Sequence, residues 1–483
     1  MIPLATAEQT RSLDRYAAEV LGLSGSVLME VASLRVAEAV RERLCAKGRV
    51  AVVTGPGNNG GDGWGAARWL HSWGIDVWVW PAQDPTSGDA VGHRRAALAA
   101  GVVQAAHVDA DVIVDALFGT GLSRDITGLL ADVIHTVNDT AVPVLSVDLP
   151  SGLQAETGAV LGCAVRPTWT LSLATAKPVL FAGHGIVGEW AVADLGLRGL
   201  PVARLGDVVE MMDVAELWPT RASTSHKTRS GHLLVIAGCQ SMAGAAVLTC
   251  RAALRSGVGL VTLLTPSSSL IRLVSLPPEV MVETCGDDSL GDVRTVDLTR
   301  YSAIAAGPGL GTLAESAMNG LRHLWRSSEL PVVFDADALI CAADAGPGQR
   351  VMTPHPGEAS RMLGVSVSDL QADRFTSVRQ LATTATALLK GPHTLVATPG
   401  QHIRVNPTGN AVLGTAGTGD VLTGVVGALL ARGLSGQDAA SAGAFVHGLA
   451  ADGLRSRRAQ GWTAGDVADA IPAAVASLQG EAC

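Results

Sequence analysis

"VAVVTGPGNNGGDGWGAARWL", Val50 to Leu70, runs an apolar segment into a loop of glycines, two asparagines and one aspartate, and then turns helix-like. Glycine is tolerated where the backbone takes positive φ or comes close to a ligand. A strand, a glycine loop and a helix N-terminus together make an anion cradle. Glycine loops also occur as plain tight turns between strand and helix, so this stretch alone leaves phosphate or nucleotide binding and a bare turn both open.

Outward from it, the apolar runs "IDVWVW", "VIVDALFG", "VPVLSVDLPSG" and "TWTLSLAT" alternate with Ala-rich stretches. That alternation predicts a mostly parallel sheet with helices on both faces, a Rossmann-like doubly wound α/β domain. Ligands of such sheets sit at the carboxyl ends of strands. Here those ends read "GPGNNGGDG", "DALFGTGLSRD" and "DLPSG", three loops predicted to converge on one edge. The first carries Asn58, Asn59, Gly60, Gly61 and Asp62. The second has Asp115 ahead of Gly119, Thr120 and Gly121, with Arg124 as a cation, and the third has Asp148 ahead of Pro150, Ser151 and Gly152. Oxygen groups from Asn59, Asp115 and Ser151 suit a hard cation. The plainer readings are Asx-turns for the asparagines and turn or helix caps for Asp115 and Asp148.

The periodicity fades between Gly196 and Lys227, which places a domain boundary near 215/216. A second alternating series follows, "HLLVIAG", "LVTLLTP", "YSAIAAGPGLG", "PVVFDADAL", "RVMTPHPGE" and "HTLVATPG", and then two long Ala/Gly helices. It does not repeat the first half, so two different α/β domains are predicted. The sharpest motif is "GNAVLGTAGTGDVLTGVVGALLARG", Gly409 to Gly433, in which glycines 414, 417 and 419 precede Asp420. Backbone amides at such a helix start hold a phosphate or developing oxyanion. Asp420 there suits a general base toward a hydroxyl being phosphorylated, against the plainer role of N-cap. His355, between two prolines of "TPHPGE", fits a ligand contact or an exposed turn. Lys390 fits a nucleotide phosphate or a helix end favoured by the macrodipole.

Composition bounds the function. A length of 483 residues predicts two domains, and 48% hydrophobic against 16% charged residues predicts folded ones. A formal charge of -9 argues against nucleic acid as the main partner. The cysteines (Cys45, Cys163, Cys239, Cys250, Cys285, Cys341, Cys483) are scattered without a CxxC spacing, so neither zinc nor a disulfide framework is indicated and a reducing cytoplasm is expected. The first twenty residues lack a basic start and apolar run, and the longest charge-free stretch, Ser256 to Ile271, is broken by Pro266 and three serines. Neither a signal peptide nor a membrane span is predicted.

With these motifs in place, "GPGNNGGDG", "DALFGTGLSR" and "VDLPSG" resemble the NAD(P)H-hydrate epimerase family. "HKTRSGHLLVIAGCQSMAGAAVLTCRAALRSGVGLVT", "AAGPGLG", "DADAL", "TPHPGE", "LKGPHTLVA" and "GNAVLGTAGTGDVLTG" resemble the ADP-dependent NAD(P)H-hydrate dehydratase family, which has the ribokinase-like α/β fold. The resemblance implies an epimerase domain over 1–215 and a dehydratase domain over 216–483, repairing nicotinamide dinucleotides hydrated at C6 of the ring (NADHX, NADPHX). It implies hydrate binding at Asn58, Asn59, Gly60, Gly61, Asp62, Gly119, Thr120, Gly121, Leu122, Ser123, Arg124, Asp125 and Asp148, with potassium at Asn59, Asp115 and Ser151. In the second domain it implies hydrate binding at Ala246, Gly309, His355 and Asp420, and adenine nucleotide at Lys390, Gly391, Pro392, His393, Thr394 and Gly419. The donor is ADP or ATP with Mg2+; "TAGTGD" resembles the ADP branch, while "KGPHT" puts Pro392 and His393 where small residues are common. Asp420 is the expected base of phosphoryl transfer and Asp148 the acid/base of epimerisation. Lys177 stands behind Asp148 for that role, or is structural. Small-molecule substrates and a homo-oligomer are expected, without nucleic acid or membrane. Two rivals stand beside this reading. One is a ribokinase-like small-molecule kinase with a regulatory dinucleotide-binding N-terminal domain, and the other is a dinucleotide sensor without turnover.

Overall fold

The computed structural model describes residues 1–483 apart from 45–47, 183–184, 220–229, 345 and 481–483. The end of the expected junction, with the first residues of "HKTRSG", and Cys45 and Cys483 lie outside the described residues. The chain separates into two compact units, residues 2–206 and residues 207–483 together with Met1. The expected boundary at 215/216 falls inside a helix of the second unit, because Val209, Val214 and Trp218 are already part of that unit's buried core.

The first unit opens with β1 (Ile2–Leu4), α1 (Ala7–Glu19) and α2 (Gly25–Arg43). Then come β2 (Arg49–Thr54), α3 (Asn58–Ser72), β3 (Asp76–Pro81), α4 (Gly88–Ala99), β4 (Val103–Gln104), β5 (Val112–Ala116), α5 (Leu129–Asn138), β6 (Val144–Val147), β7 (Trp169–Leu173) and β8 (Glu189–Ala193). Its sheet runs β4-β3-β2-β5-β6-β7-β8, all parallel, the expected doubly wound Rossmann-like layout. Strand β2 shows why its sequence is apolar throughout rather than alternating: Val50 and Val52 pack with Val36, Val40 and Trp64 on one face, and Ala51 and Val53 with Ile134 and Val137 on the other. The strand order reverses between β2 and β5, and their carboxyl ends open the crevice where such sheets bind ligands.

Helix α3 starts at Asn58, four residues after the strand end at Thr54, so most of the glycine-rich run is helix and not loop. Its glycines are contact points. A Cβ on Gly60 would stand 2.0 Å from the Gly55 carbonyl oxygen, one on Gly63 2.7 Å from the Ala116 methyl, and one on Gly65 2.1 Å from Ser33 Oγ. Each glycine costs about 1 kcal/mol of helix propensity, and burial of large side chains such as Trp64, at roughly 1.5–3 kcal/mol each, offsets it.

The second unit contains β9 (Gly206–Val208), α6 (Met211–Leu217), β10 (His232–Ile236), α7 (Ala243–Arg255), β11 (Leu260–Thr265), β12 (Met281–Thr284), β13 (Ala303–Ala306), α8 (Glu315–Ser327), β14 (Val332–Phe334) and β15 (Arg350–Met352). It continues with α9 (Pro356–Leu363), α10 (Val367–Ala372), α11 (Arg374–Leu381), β16 (Thr386–Leu389), β17 (Leu395–Ala397), β18 (Ile403–Val405), α12 (Thr418–Ala431), α13 (Gly436–Arg455) and α14 (Ala464–Leu478). Its strands lie in the order β9-β18-β17-β16-β15-β14-β13-β10-β11-β12, parallel from β16 to β12 and antiparallel from β16 to β18. This is the ribokinase-like α/β arrangement. The core helix is α12, buried from Val421 to Ala431 against α7 and the sheet. Among the described residues, no helix is long and apolar enough to cross a membrane.

Candidate active sites

A cavity of about 660 Å³ opens at the strand-order reversal of the first unit. Asn58, Asn59 and Asp62 of α3, Gly119 to Leu122 after β5, Asp148 after β6, and Lys177 line it. Gly60 and Gly61 face packing neighbours instead, and Ser123, Arg124 and Asp125 are not in the lining. The three strand-end loops thus converge as expected, but the cation expected from Arg124 is absent from the wall.

Asp148 sits at φ +68°, a left-handed conformation that costs a non-glycine residue of order 1–3 kcal/mol and clusters at functional sites. Its Oδ1 accepts from Lys177 Nζ at 2.5 Å and from the Leu173 amide at 3.2 Å, while Lys177 also donates to the Leu173 carbonyl at 2.7 Å. Lys177 is fully buried. A buried ammonium without this carboxylate would be very costly, so the charge of Lys177 depends on Asp148. Burial, reinforced by Asp148 and Asp14, drives the Asp62 carboxyl well above the ordinary carboxylate range, with Lys177 opposing.

Asp115 lies deeper. Its carboxylate accepts from Ser146 Oγ (2.7 Å), Ser151 Oγ (2.6 Å), the Ser151 amide (3.0 Å) and the Leu117 amide (3.3 Å). Burial raises its pKa and these bonds oppose the rise. Ser151 Oγ also stands 3.2 Å from the Phe118 carbonyl oxygen and accepts from the Phe118 amide at 2.9 Å. The amide nitrogen of Asn59 is buried without a hydrogen-bond partner.

In the second unit the site forms at the start of α12. Gly417 is the N-cap at φ +90°, no side chain caps the helix, and Asp420 falls in its first turn. Lys390, just after β16, reaches over this end: a Cβ on Gly419 would meet its Nζ at 3.3 Å. The ammonium donates to Asp335 Oδ1 at 2.7 Å and lies 4.0 Å from Glu358 Oε2. Asp335 Oδ2 accepts from Thr423 Oγ1 of α12 at 2.7 Å, so one buried carboxylate ties Lys390 to the helix that carries Asp420. Burial opposes the charge on Lys390, but Asp335, Glu358 and Asp420 outweigh it and its pKa is raised. Burial and then the nearby Asp335 charge lift Asp420 to about 6, with Lys390 opposing.

The other expected residues divide. His355 caps α9: its Nδ1 accepts from the Gly357 and Glu358 amides at 3.0 and 3.3 Å, and its ring is exposed. Ala246 is buried in the core against Gly238, so its methyl meets protein rather than an open site. Gly309 lies at φ +62°, where a Cβ would strike the Met242 carbonyl, and the loop is pinned by the Gly311 amide donating to Asp337 at 2.8 Å. In "KGPHT", His393 is left-handed at φ +50°, half-buried, and held to about 4 by burial and the Arg374 charge. The Arg374 guanidinium donates to the Pro392 carbonyl, and Thr394 Oγ1 to the Gly391 carbonyl at 3.1 Å.

Comparisons with known proteins agree with this division. Residues 233–473 match the family model described as NAD(P)H-hydrate dehydratase, and residues 25–179 match the YjeF-related protein N-terminus. The chain is similar to the bifunctional NAD(P)H-hydrate repair enzyme of Thermofilum pendens, 37% identical over 99% of this chain and 97% of the relative. The enzyme of the same name from Escherichia coli K12 is 37% identical over 93% of this chain and 89% of its own length. Among solved structures, the ADP/ATP-dependent NAD(P)H-hydrate dehydratase of Bacillus subtilis, co-crystallized with ATP/Mg2+, superposes with a TM-score of 0.53 at 31% identity, over 57% of this chain and 100% of that one. On its sheets, its strand-end loops and these full-length relatives, the chain belongs to the family of bifunctional NAD(P)H-hydrate repair enzymes.

Proposed function

We propose that the first unit interconverts the R and S epimers of NADHX and NADPHX, and that the second dehydrates the S epimer to NADH or NADPH at the expense of ADP or ATP, which enters as its magnesium complex. The observation that carries this is the start of α12, where Asp420, an uncapped helix end and the Lys390 ammonium meet. Hydroxide is a poor leaving group. Asp420 takes the proton of the C6 hydroxyl as its oxygen attacks the terminal phosphorus, and the helix amides and Lys390 offset the charge on the transferring group. The nucleotide, shorter by one phosphate, leaves with the P–O bonding pair; inorganic phosphate then departs from C6 with the C6–O bonding pair as the ring-nitrogen lone pair forms a C6=N iminium, and loss of the C5 proton turns that iminium into the dihydronicotinamide. Asp335 and Thr423 position Lys390 against the helix.

In the first unit, Asp148, held by Lys177, is assigned the acid/base role at C6. A potassium ion fits Asn59, Asp115 and Ser151. The buried Asp115 carboxylate pairs with no cationic side chain among the described residues, and turning the Asn59 amide by half a turn exchanges its orphaned nitrogen for oxygen. Bound there, the ion would supply counter-charge to Asp115. The free state of Cys163, Cys239, Cys250, Cys285 and Cys341 supports a reducing, cytoplasmic setting.

The test incubates the full chain with mixed NADHX epimers and ADP or ATP and follows the dihydronicotinamide absorbance with phosphate release. Complete recovery of NADH from both epimers is expected. A stable phosphorylated product without NADH would favour a small-molecule kinase, and binding without nucleotide consumption a sensor.

A further inference from the structure

Helix α1 lies outside the 25–179 stretch that the family model matches, yet it forms one wall of the first-unit cavity. Leu13 and Ala17 bury one side of the helix, and Thr10, Arg11, Asp14 and Arg15 of its other side line the cavity. Neither Arg11 nor Arg15 makes an ion pair or hydrogen bond among the described residues. In the same lining, Asp14, Asp62 and Asp148 share the influence of one ammonium, Lys177, which Asp148 already engages. An anionic dinucleotide entering such a wall needs cations that the carboxylates do not hold. Asn58 begins α3 after an N-cap, Gly57, that has no side-chain bond, so unspent amides also face the lining.

We infer that Arg11 and Arg15 recognise the phosphates of the hydrated dinucleotide and set its affinity for the epimerase site. The inference rests on the reading of the first unit as a hydrate-binding epimerase. Guanidinium suits the task because its fixed fork of donors matches phosphate oxygens. The pyrophosphate and, in NADPHX, the adenosine 2′-phosphate offer the same chemistry.

The test uses the full chain without nucleotide donor and measures R-to-S interconversion by chromatography across NADHX and NADPHX concentrations, for the unaltered chain and for Arg11→Ala and Arg15→Ala. Each substitution is expected to raise KM about ten-fold, the size of one charge-assisted contact, with kcat largely kept. The salt dependence of kcat/KM should flatten, and Arg→Lys should restore it in part. An equal rise for both substrates assigns the pyrophosphate, and a rise confined to NADPHX the 2′-phosphate. Unchanged KM for both substrates, or loss of kcat alone, overturns the inference. Failure of the unaltered chain to interconvert the epimers overturns instead the reading on which it rests.

Discussion

Helix α3 of the first unit and α12 of the second both begin in glycine-rich runs that carry an aspartate, "GPGNNGGDG" and "GTAGTGD". In α3 the glycines are inside the helix, and what they meet is backbone and core: the Gly55 carbonyl, the Ala116 methyl, Ser33. In α12 Gly417 turns the chain in a left-handed conformation and Gly419 faces an ammonium. The aspartates do not divide in this way. Burial and neighbouring carboxylates raise both, and one lysine opposes the rise in each, Lys177 at Asp62 and Lys390 at Asp420, which comes to about 6. Glycines of the first kind let a helix pack closely, as Gly417 also does against Leu248, whereas Gly419 leaves the helix end open to a ligand. One composition serves both, and only the partners of the missing Cβ tell them apart.

The comparison breaks most directly at Asp420. Asp420→Asn keeps shape but cannot take the proton, so dehydration of the S hydrate should fall by ~10² to 10⁴ while nucleotide binding persists. Epimerisation, measured by chromatography on the same protein, should be unchanged; near-normal NADH recovery would remove Asp420 from the mechanism. Asp115→Ala is its counterpart in the first unit. It should cost epimerisation roughly 10- to 100-fold, by analogy with lost support of a metal site, and leave dehydration intact. Parallel loss of both activities would instead indicate misfolding.

The pH dependence sharpens the contrast further. Asp420 must be ionised to act as base, so dehydration should decline about ten-fold per unit as pH falls below about 6. In Asp335→Asn the repulsion that raises Asp420 is gone, and the falling limb should move to lower pH; a limb that stays in place would deny Asp335 its influence. His447, held to about 4 by burial, stays neutral around pH 6, where the decline begins. The smallest expected effect separates the two kinds of glycine. Gly60→Ala should lower the stability of the first unit by about 1–3 kcal/mol through overpacking, seen as a lower Tm. Gly419→Ala should barely move Tm but weaken nucleotide binding, and the opposite outcome would merge the two classes.

Much of this was legible in the sequence because the chemistry sits on local strand–loop–helix patterns. Asp115, Asp148 and Asp420 each follow an apolar strand or glycine run, and those positions mark ligand edges in α/β sheets. The start of α3 was not legible, because glycine propensity argues for loop and only tertiary packing reverses it. Asp335 and Glu358 were in view within "DADAL" and "TPHPGE", but their roles depend on a lysine distant in sequence. Arg11, Asp14 and Arg15 carry no motif, and nothing local in the sequence reveals that a cavity lies against them. Ala246 and Gly309 come from separate motifs and are both buried against protein, which no spacing encodes.

The grip of Asp335 on both Lys390 and Thr423 also fixes how nucleotide and protons are linked. A phosphate that engages Lys390 draws the ammonium's charge toward itself and adds negative charge beside Asp420, so Asp420 holds its proton more tightly. Nucleotide binding near pH 6 therefore takes up protons, and affinity rises as pH falls toward that value. Calorimetry of nucleotide binding in buffers of different ionisation heat would report this uptake directly, with no turnover required.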